Sequence, residues 1–469
     1  MAVLSTQRRK PFFRVVFTLI CFVITVFFFG LDSSDDNVPY KQRGFSHEKF
    51  TNLGMGEGQC LRTFPGLTKE IDLSVARVGE NGFELEKLSD DTSGLVEGRI
   101  KNNKLYIISA ERRPNRDMLF ERQAVLHSLH RAILTSPTPL PDTVFALSII
   151  DSPRQNAWSF SRSNDPKIQG NYWLMPHFAF WSWPKRFIGT IDEALSKIAV
   201  VEKDMNWHGK IEKAVWRGTV WFNNLGNTQL RPKLIQATKG RDWADVQDMK
   251  WVTNGVDAEN AISIEDFCKY KYIIYTEVCL TNLLRPIIPV SNGRLQKGVT
   301  YSGRLPFHQA CRSIILTPPP TYLMHTTHLM RPLYSHSLPF SPSYTSSLKP
   351  SPNPRWLNSY TPENANVIFV QPDWSDLEQT IEWLRKHDDV ARGIAERQRD
   401  LHVGEGGIIS EAAETCYWRA LIRRWAGVVR EKNGTHLDSD REGDERQWGD
   451  GMRWESFVLT GTTDWARVV

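Results

Sequence analysis

The sequence predicts an α/β fold, and three stretches carry that expectation. Tyr272-Ile273-Ile274-Tyr275-Thr276 is a β-branched and aromatic run that reads as a buried strand. A glycine turn at Tyr301-Ser302-Gly303-Arg304, a short helix and a second strand at Ser313–Thr317 complete a strand–turn–helix–strand unit. Val144-Phe145-Ala146-Leu147-Ser148-Ile149-Ile150 and Lys213-Ala214-Val215-Trp216 are further strands, each ending abruptly in a polar turn. In open α/β sheets such strand ends gather ligands, and free N–H groups at a helix start favour an anion there. Arg304 adds a planar cation suited to a pyrophosphate. On pattern alone, an ordinary crossover in an α/β core accounts for the unit equally well.

At 469 residues the chain has room for two domains with full cores. Its net charge of +5 is modest, and no basic stripe interleaved with aromatics is present, which argues against nucleic acid as a partner. Seventeen tryptophans suit a carbohydrate site, but core packing explains most of them. HExxH, paired CxxC and Walker sequences are absent, leaving metalloprotease, zinc-ribbon and P-loop chemistry without support. Asp438-Ser439-Asp440 falls in a run of charges with no strand before it and reads as solvated chain.

Residues 1–11 are polar and basic, and 12–31 are apolar apart from Arg14, with Asp32, Asp35 and Asp36 following. That length and charge asymmetry predict an uncleaved signal anchor with the N-terminus cytosolic, a cleaved signal peptide being the alternative. Residues 32–95 read as a polar stem. Residues 96–205 read as the first domain, with a strand at Lys104–Ile108 and an amphipathic helix from Glu121 to Leu134. Asp151 sits at the end of the Val144–Ile150 strand, as a functional carboxylate or as a turn former. The aromatic stretch 172–184 reads as a packed loop that walls a cleft or fills a core between domains. The second domain is expected over 206–430. Arg217-Gly218-Thr219 ends a strand there, and Arg231 opens a helix with Pro232 at its first position. These arginines either hold a diphosphate or are solvated surface charges. Ser375-Asp376-Leu377-Glu378 reads as a capping box. A last helix spans Ser410–Val428, and 431–469 read as a charged tail with a glycosylation acceptor at Asn433.

Six segments then fall in a recognisable order: Ser148-Ile149-Ile150-Asp151-Ser152-Pro153, Met175-Pro176 through Trp181, Trp216-Arg217-Gly218, Cys268-Lys269-Tyr270-Lys271-Tyr272, Tyr301-Ser302-Gly303-Arg304-Leu305 and Cys416-Tyr417-Trp418. On these segments the chain resembles the lumenal glycosyltransferases typified by fungal capsule-associated xylosyltransferases and animal protein O-glucosyltransferases, glycosyltransferase family 90. The resemblance implies a GT-B-like fold of two Rossmann-like domains and an inverting transfer of xylose or glucose from a UDP-sugar to a hydroxyl of a glycan or glycoprotein. It implies Asp151 as the general base. Arg217, Gly218, Thr219, Arg231 and the run Val299, Thr300, Tyr301, Ser302, Gly303 and Arg304 are implied as the donor site, and Met175, Phe178 and Trp181 as the acceptor wall. No cofactor or metal is implied beyond the UDP-sugar substrate. Disulfides Cys268–Cys311 and Cys60–Cys416 are suggested, in a single-pass type II protein of the Golgi or endoplasmic reticulum whose catalytic part is lumenal.

One segment departs from the family pattern. In relatives Glu277 would run directly into Gly298, whereas here Val278–Lys297 intervenes. It begins with valine (codons GTN) and ends Gln-Lys, where an AG is available, which reads as a retained intron. A loop of that size beside a phosphate-binding turn is foreign to a compact domain. If the segment is part of the protein, a catalytically silent lumenal binding protein with the same fold is the alternative expectation.

Overall fold

A computed structural model describes residues 49–86, 94–111, 114–168, 170–185, 187–221, 227–252, 257–277, 300–339, 356, 358–431, 451–461 and 463. All of them fall within one unit, Glu48–Val469. The expected anchor at 12–31, the 278–297 segment, Val299 and Asn433 lie outside the described residues. No helix among the described residues is long and apolar enough to cross a membrane.

Two six-stranded sheets organise the unit, giving a mixed α/β architecture consistent with a GT-B-like fold. The second sheet runs Ala244–Asp248, Ile211–Gly218, Tyr270–Ile274, Ile314–Thr317, Val367–Phe369 and Pro332–Tyr334, with every pairing parallel. Parallel sheets are covered on both faces, and these strands are built for that. Ile273 and Ile315 enter the larger core cluster, which also holds Val144 and Trp158. Their neighbours Tyr272, Ile274, Ile314 and Leu316 enter a second cluster with Leu234, Leu377 and Ile394. The period of two thus assigns alternate residues of one strand to two cores. Helices Leu230–Thr238, Leu377–Lys386 and Asp388–His402 supply residues to the second.

The first sheet runs Met452–Arg453, Lys104–Ala110, Leu95–Lys101, Thr143–Ser148, Ala157–Ser159 and Tyr172–Leu174. It is mixed, which corrects the expectation of a Rossmann-like sheet in this half. Only Thr143–Ser148 with Ala157–Ser159, and Ala157–Ser159 with Tyr172–Leu174, pair parallel; the others are antiparallel. The cause is local. Asn102 and Asn103 take φ of 52° and 59° between two strands, the left-handed pair that a two-residue hairpin requires and that asparagine tolerates.

Residues 57–85, expected as stem, fold into the body through helices Glu57–Thr63 and Lys69–Val78 and strand Phe83–Leu85. Met55, Phe64, Leu67 and Ile71 are buried in the larger core. Glu70 takes a bidentate ion pair from Arg162, at 2.8 and 3.1 Å. Arg419 donates to the carbonyls of Leu53 and Met55 at 2.7 and 3.0 Å, and a disulfide joins Cys60 to Cys416 with Cα atoms 5.7 Å apart. The second expected disulfide, Cys268–Cys311, is also present, at 4.9 Å.

The chain's end is likewise more than a tail. Met452–Arg453 pairs with Lys104–Ala110, and helix Trp454–Thr460 buries Trp454 and Phe457. The last long helix, Glu411–Ala426, packs against helices Arg116–Leu134 and Lys69–Val78, so it belongs with the first sheet rather than the second domain.

Three local expectations shift as well. The helix expected from Glu121 begins at Arg116, with Asn115 capping the Met118 N–H at 2.9 Å. The helix expected from Pro232 begins at Leu230, so Arg231 lies inside its first turn. No capping box forms at Ser375: the Asp376 carboxylate accepts from the Gln371 N–H at 3.0 Å and from the Ser335 hydroxyl, and Glu378 accepts from Trp243 Nε1 at 3.2 Å.

Candidate active site

Strand ends from both sheets meet at one cleft with about 750 Å³ of free space, open to solvent. The first sheet contributes Asp151, three residues past Thr143–Ser148 and 7% exposed. The second contributes Arg217, Gly218 and Thr219 from the end of Ile211–Gly218, and Arg231 from the helix that follows. Tyr301, Ser302, Gly303 and Arg304 enter from the turn before helix Leu305–Gln309. Thr300 does not line the cleft. Its hydroxyl donates 2.7 Å to the main-chain carbonyl of Asp151 and lies 3.2 Å from the Ser161 hydroxyl, tying the turn to the first sheet.

The cations have different duties. Arg217 is committed to the scaffold: Nε donates to the Asn260 carbonyl at 3.1 Å, Nη1 to the carbonyls of Trp216 and Asp245 at 3.0 and 2.7 Å, and Nη2 pairs with the Asp245 carboxylate at 2.8 Å. Arg304 donates 2.8 Å to the Arg217 carbonyl, and Arg231 donates 2.7 Å to the Thr219 carbonyl while its guanidinium lies 5.2 Å over the Trp216 ring. Arg231 is buried and Arg304 is half-buried. Burial lowers the Arg304 pKa to about 10. Burial lowers that of Arg231 well below its usual value, and the nearby Arg304 adds to the shift. Two guanidiniums bordering one cleft are chemically suited to an anion, which would relieve their mutual repulsion.

The glycines are dictated by packing. A Cβ on Gly218 would stand 2.4 Å from the Trp216 ring, and one on Gly303 would stand 2.5 Å from His177 Cε1. His177 is buried, and its Nδ1 accepts from the Ala179 N–H at 3.1 Å. Burial drops its pKa to about 3, with His325 adding, so the imidazole is neutral and its proton is on Nε2.

On the acceptor side one expected residue of three reaches the cleft. Phe178 lines it. Met175 is fully buried in the core, and Trp181 turns to helix Arg116–Leu134, stacking on His127 at 5.2 Å with Arg131 4.8 Å over its ring. Trp183 and Lys185 line the wall instead. Sequence reasoning also missed Asp117 and Glu121 of that helix, and Met249 and Trp251 beyond the second sheet. Asp117 and Glu121 are one turn apart on one helix face, a spacing visible in the sequence once the helix is started at Arg116. Lys185 pairs with Asp117 at 3.0 Å. Glu121 is 6% exposed, and its Oε2 has no hydrogen-bond partner among the described residues. Burial, then the Asp151 and Asp117 carboxylates, push its pKa well above the usual glutamate range, with Lys185 opposing.

The chain is also similar in sequence to known proteins. The model of Glycosyl transferase family 90 matches residues 72–283, ending inside the 278–297 segment. An O-glucosyltransferase rumi homolog of Aedes aegypti is 25% identical over 62% of this chain and 63% of its own length. The O-glucosyltransferase rumi of Drosophila melanogaster is 22% identical over 62% of each chain. Protein O-glucosyltransferase 1 of Homo sapiens is 22% identical over 61% of this chain and 63% of its own length. The chain thus spans less than two thirds of the length of these relatives. The family match and the relatives together make the chain similar to the O-glucosyltransferases of glycosyl transferase family 90 across residues 72–283.

Proposed function

We propose that the protein is an inverting, UDP-sugar-dependent glycosyltransferase that acts on a hydroxyl of a glycoprotein or glycan. The observation that carries this reading is a single cleft lined by Asp151, the buried Arg231 and the half-buried Arg304. Asp151 takes the proton of the acceptor hydroxyl as its oxygen bonds to the anomeric carbon. The bond from that carbon to the UDP oxygen breaks on the opposite face, and the electron pair leaves with the diphosphate. Arg231 and Arg304 stabilise that charge in place. Arg217 holds the carbonyl that anchors Arg304, so its part is positioning. Glucose is the first donor to test, since the relatives are named O-glucosyltransferases; xylose is the second.

The two disulfides suit an oxidising compartment, in keeping with a lumenal body behind an anchor at 12–31 in the Golgi or endoplasmic reticulum. A second reading, a catalytically silent binding protein, draws on the 278–297 segment, which falls between Glu277 and Thr300. Glu277 holds Thr321 and Tyr322 through N–H bonds of 2.7 and 2.8 Å, and Thr300 holds the Asp151 carbonyl, so both flanks of the segment are fixed.

The test is UDP release from UDP-glucose and UDP-xylose by the full chain, by a variant lacking 278–297, and by Asp151→Asn in each. Turnover that depends on Asp151 in either form supports the transferase. UDP binding without turnover by both forms supports the silent reading.

A further inference from the structure

The cleft holds a second carboxyl that the proposed chemistry does not use. Glu121 projects from helix Arg116–Leu134 on the side of Asp151, lines the cleft, and is buried with Oε2 unpartnered among the described residues. A buried carboxylate without partners is costly, and a buried carboxylic acid is far less so. The groups that bear on it are Asp117 on its own helix, Asp151 at the strand end and Lys185, whose charge is shared with Asp117. The neutral His177 faces the same cleft.

We infer that Glu121 is an acceptor-positioning residue, hydrogen-bonding the nucleophile's hydroxyl group or water beside Asp151. This rests on the transferase reading above. Two neighbouring carboxyls in unlike environments can divide the work, the one whose pKa is raised orienting the acceptor and the other taking its proton. Burial and the two neighbouring carboxylates push the Glu121 pKa well above the usual glutamate range, favouring its protonated form. Ionising it at higher pH sets a second negative charge against Asp151 and against the departing diphosphate, so turnover falls on the alkaline side.

The experiment is hydrolysis of UDP-glucose by the full chain, with water as acceptor, for the native protein, Glu121→Gln and Glu121→Ala. Each is measured from pH 5 to 9 beside the calorimetric Kd for UDP. The glutamine variant, neutral and of the same shape, is expected within about threefold of native kcat at pH 7 and to keep its activity further into the alkaline range. The alanine variant is expected to lose about tenfold or more in kcat, consistent with one lost hydrogen bond to a charge-developing centre, with UDP Kd unchanged. Equal kcat and equal pH profiles for all three overturn the inference, as does a loss of UDP binding in step with kcat, which marks a structural role. If neither the native protein nor the variant lacking 278–297 releases UDP from any UDP-sugar, the transferase reading fails and this inference falls with it. Native turnover with indifferent Glu121 variants sinks the inference alone.

Discussion

The Thr300 hydroxyl donates a 2.7 Å hydrogen bond to the main-chain carbonyl of Asp151, across 149 positions of sequence. It is the point at which the turn carrying Arg304 is fixed to the strand end carrying the proposed base. Ser161 also donates to that carbonyl, at the longer distance of 3.4 Å. Thr300→Val is therefore expected to cost about 1 kcal/mol in a urea unfolding titration. It should also lower turnover more than UDP affinity, and Thr300→Ser should restore both. A valine variant as stable and active as the native protein would remove this link from the account.

The arginines separate by their partners. Arg304→Ala is expected to weaken UDP binding about 10- to 100-fold, the worth of a charge-assisted bond to phosphate, with little change in unfolding midpoint. Arg217→Ala should instead destabilise the fold, because it frees Asp245 and strips donors from three carbonyls. Calorimetry and thermal unfolding on the two variants check this. Equal loss of UDP affinity with full stability in both would mean that Arg217 faces the nucleotide after all.

Glu121 also carries a stability signature. Its folded pKa is raised, so between the ordinary glutamate value and the folded value the native state binds more protons than the unfolded one. Stability from this group is therefore greatest at low pH and declines as pH rises through that window. Glu121→Gln removes the decline, and its stability relative to the native protein should rise in urea titrations as pH increases above the ordinary glutamate range. A difference that does not change with pH would contradict the raised pKa.

The fold was legible where apolar runs ended in polar turns. Val144–Ile150 running into Asp151, and Lys213–Trp216 running into Arg217, mark strand ends by composition alone, and these are the ends that meet at the cleft. What stayed hidden depends on long-range pairing or on side-chain direction in irregular chain. Met452–Arg453 is too short to show a period, and it becomes a strand only because Lys104–Ala110 offers an edge. Residues 57–85 are rich in polar side chains, and their burial rests on partners such as Arg162 and Arg419 far along the chain. In the aromatic loop no period decides that Phe178 and Trp183 face the cleft while Trp181 stacks on His127. A helix start misplaced from Arg116 to Glu121 separated Asp117 from Glu121, and with it the second carboxyl of the site.

The 278–297 segment is expected to bear on function far more than on stability. Cys268 and Cys311 lie 43 positions apart and bracket it, and it makes up about half of that span. Doubling a loop costs only about 0.6 kcal/mol of closure entropy. Deleting 278–297 is thus expected to leave the thermal midpoint within a few degrees of native while raising UDP affinity and turnover. A collapse in stability on deletion would show that the segment is packed into the fold, and the retained-intron reading would be withdrawn.

The most direct test of the central claim, that one cleft sets a proposed base against a separate cation pair, is the paired measurement of UDP Kd and UDP-glucose turnover. Asp151→Asn and Arg304→Ala are compared in the form that turns over. The account predicts that Asp151→Asn abolishes turnover with UDP affinity intact, and that Arg304→Ala weakens UDP binding. Full turnover in the Asp151→Asn protein, or native UDP affinity without Arg304, would contradict it.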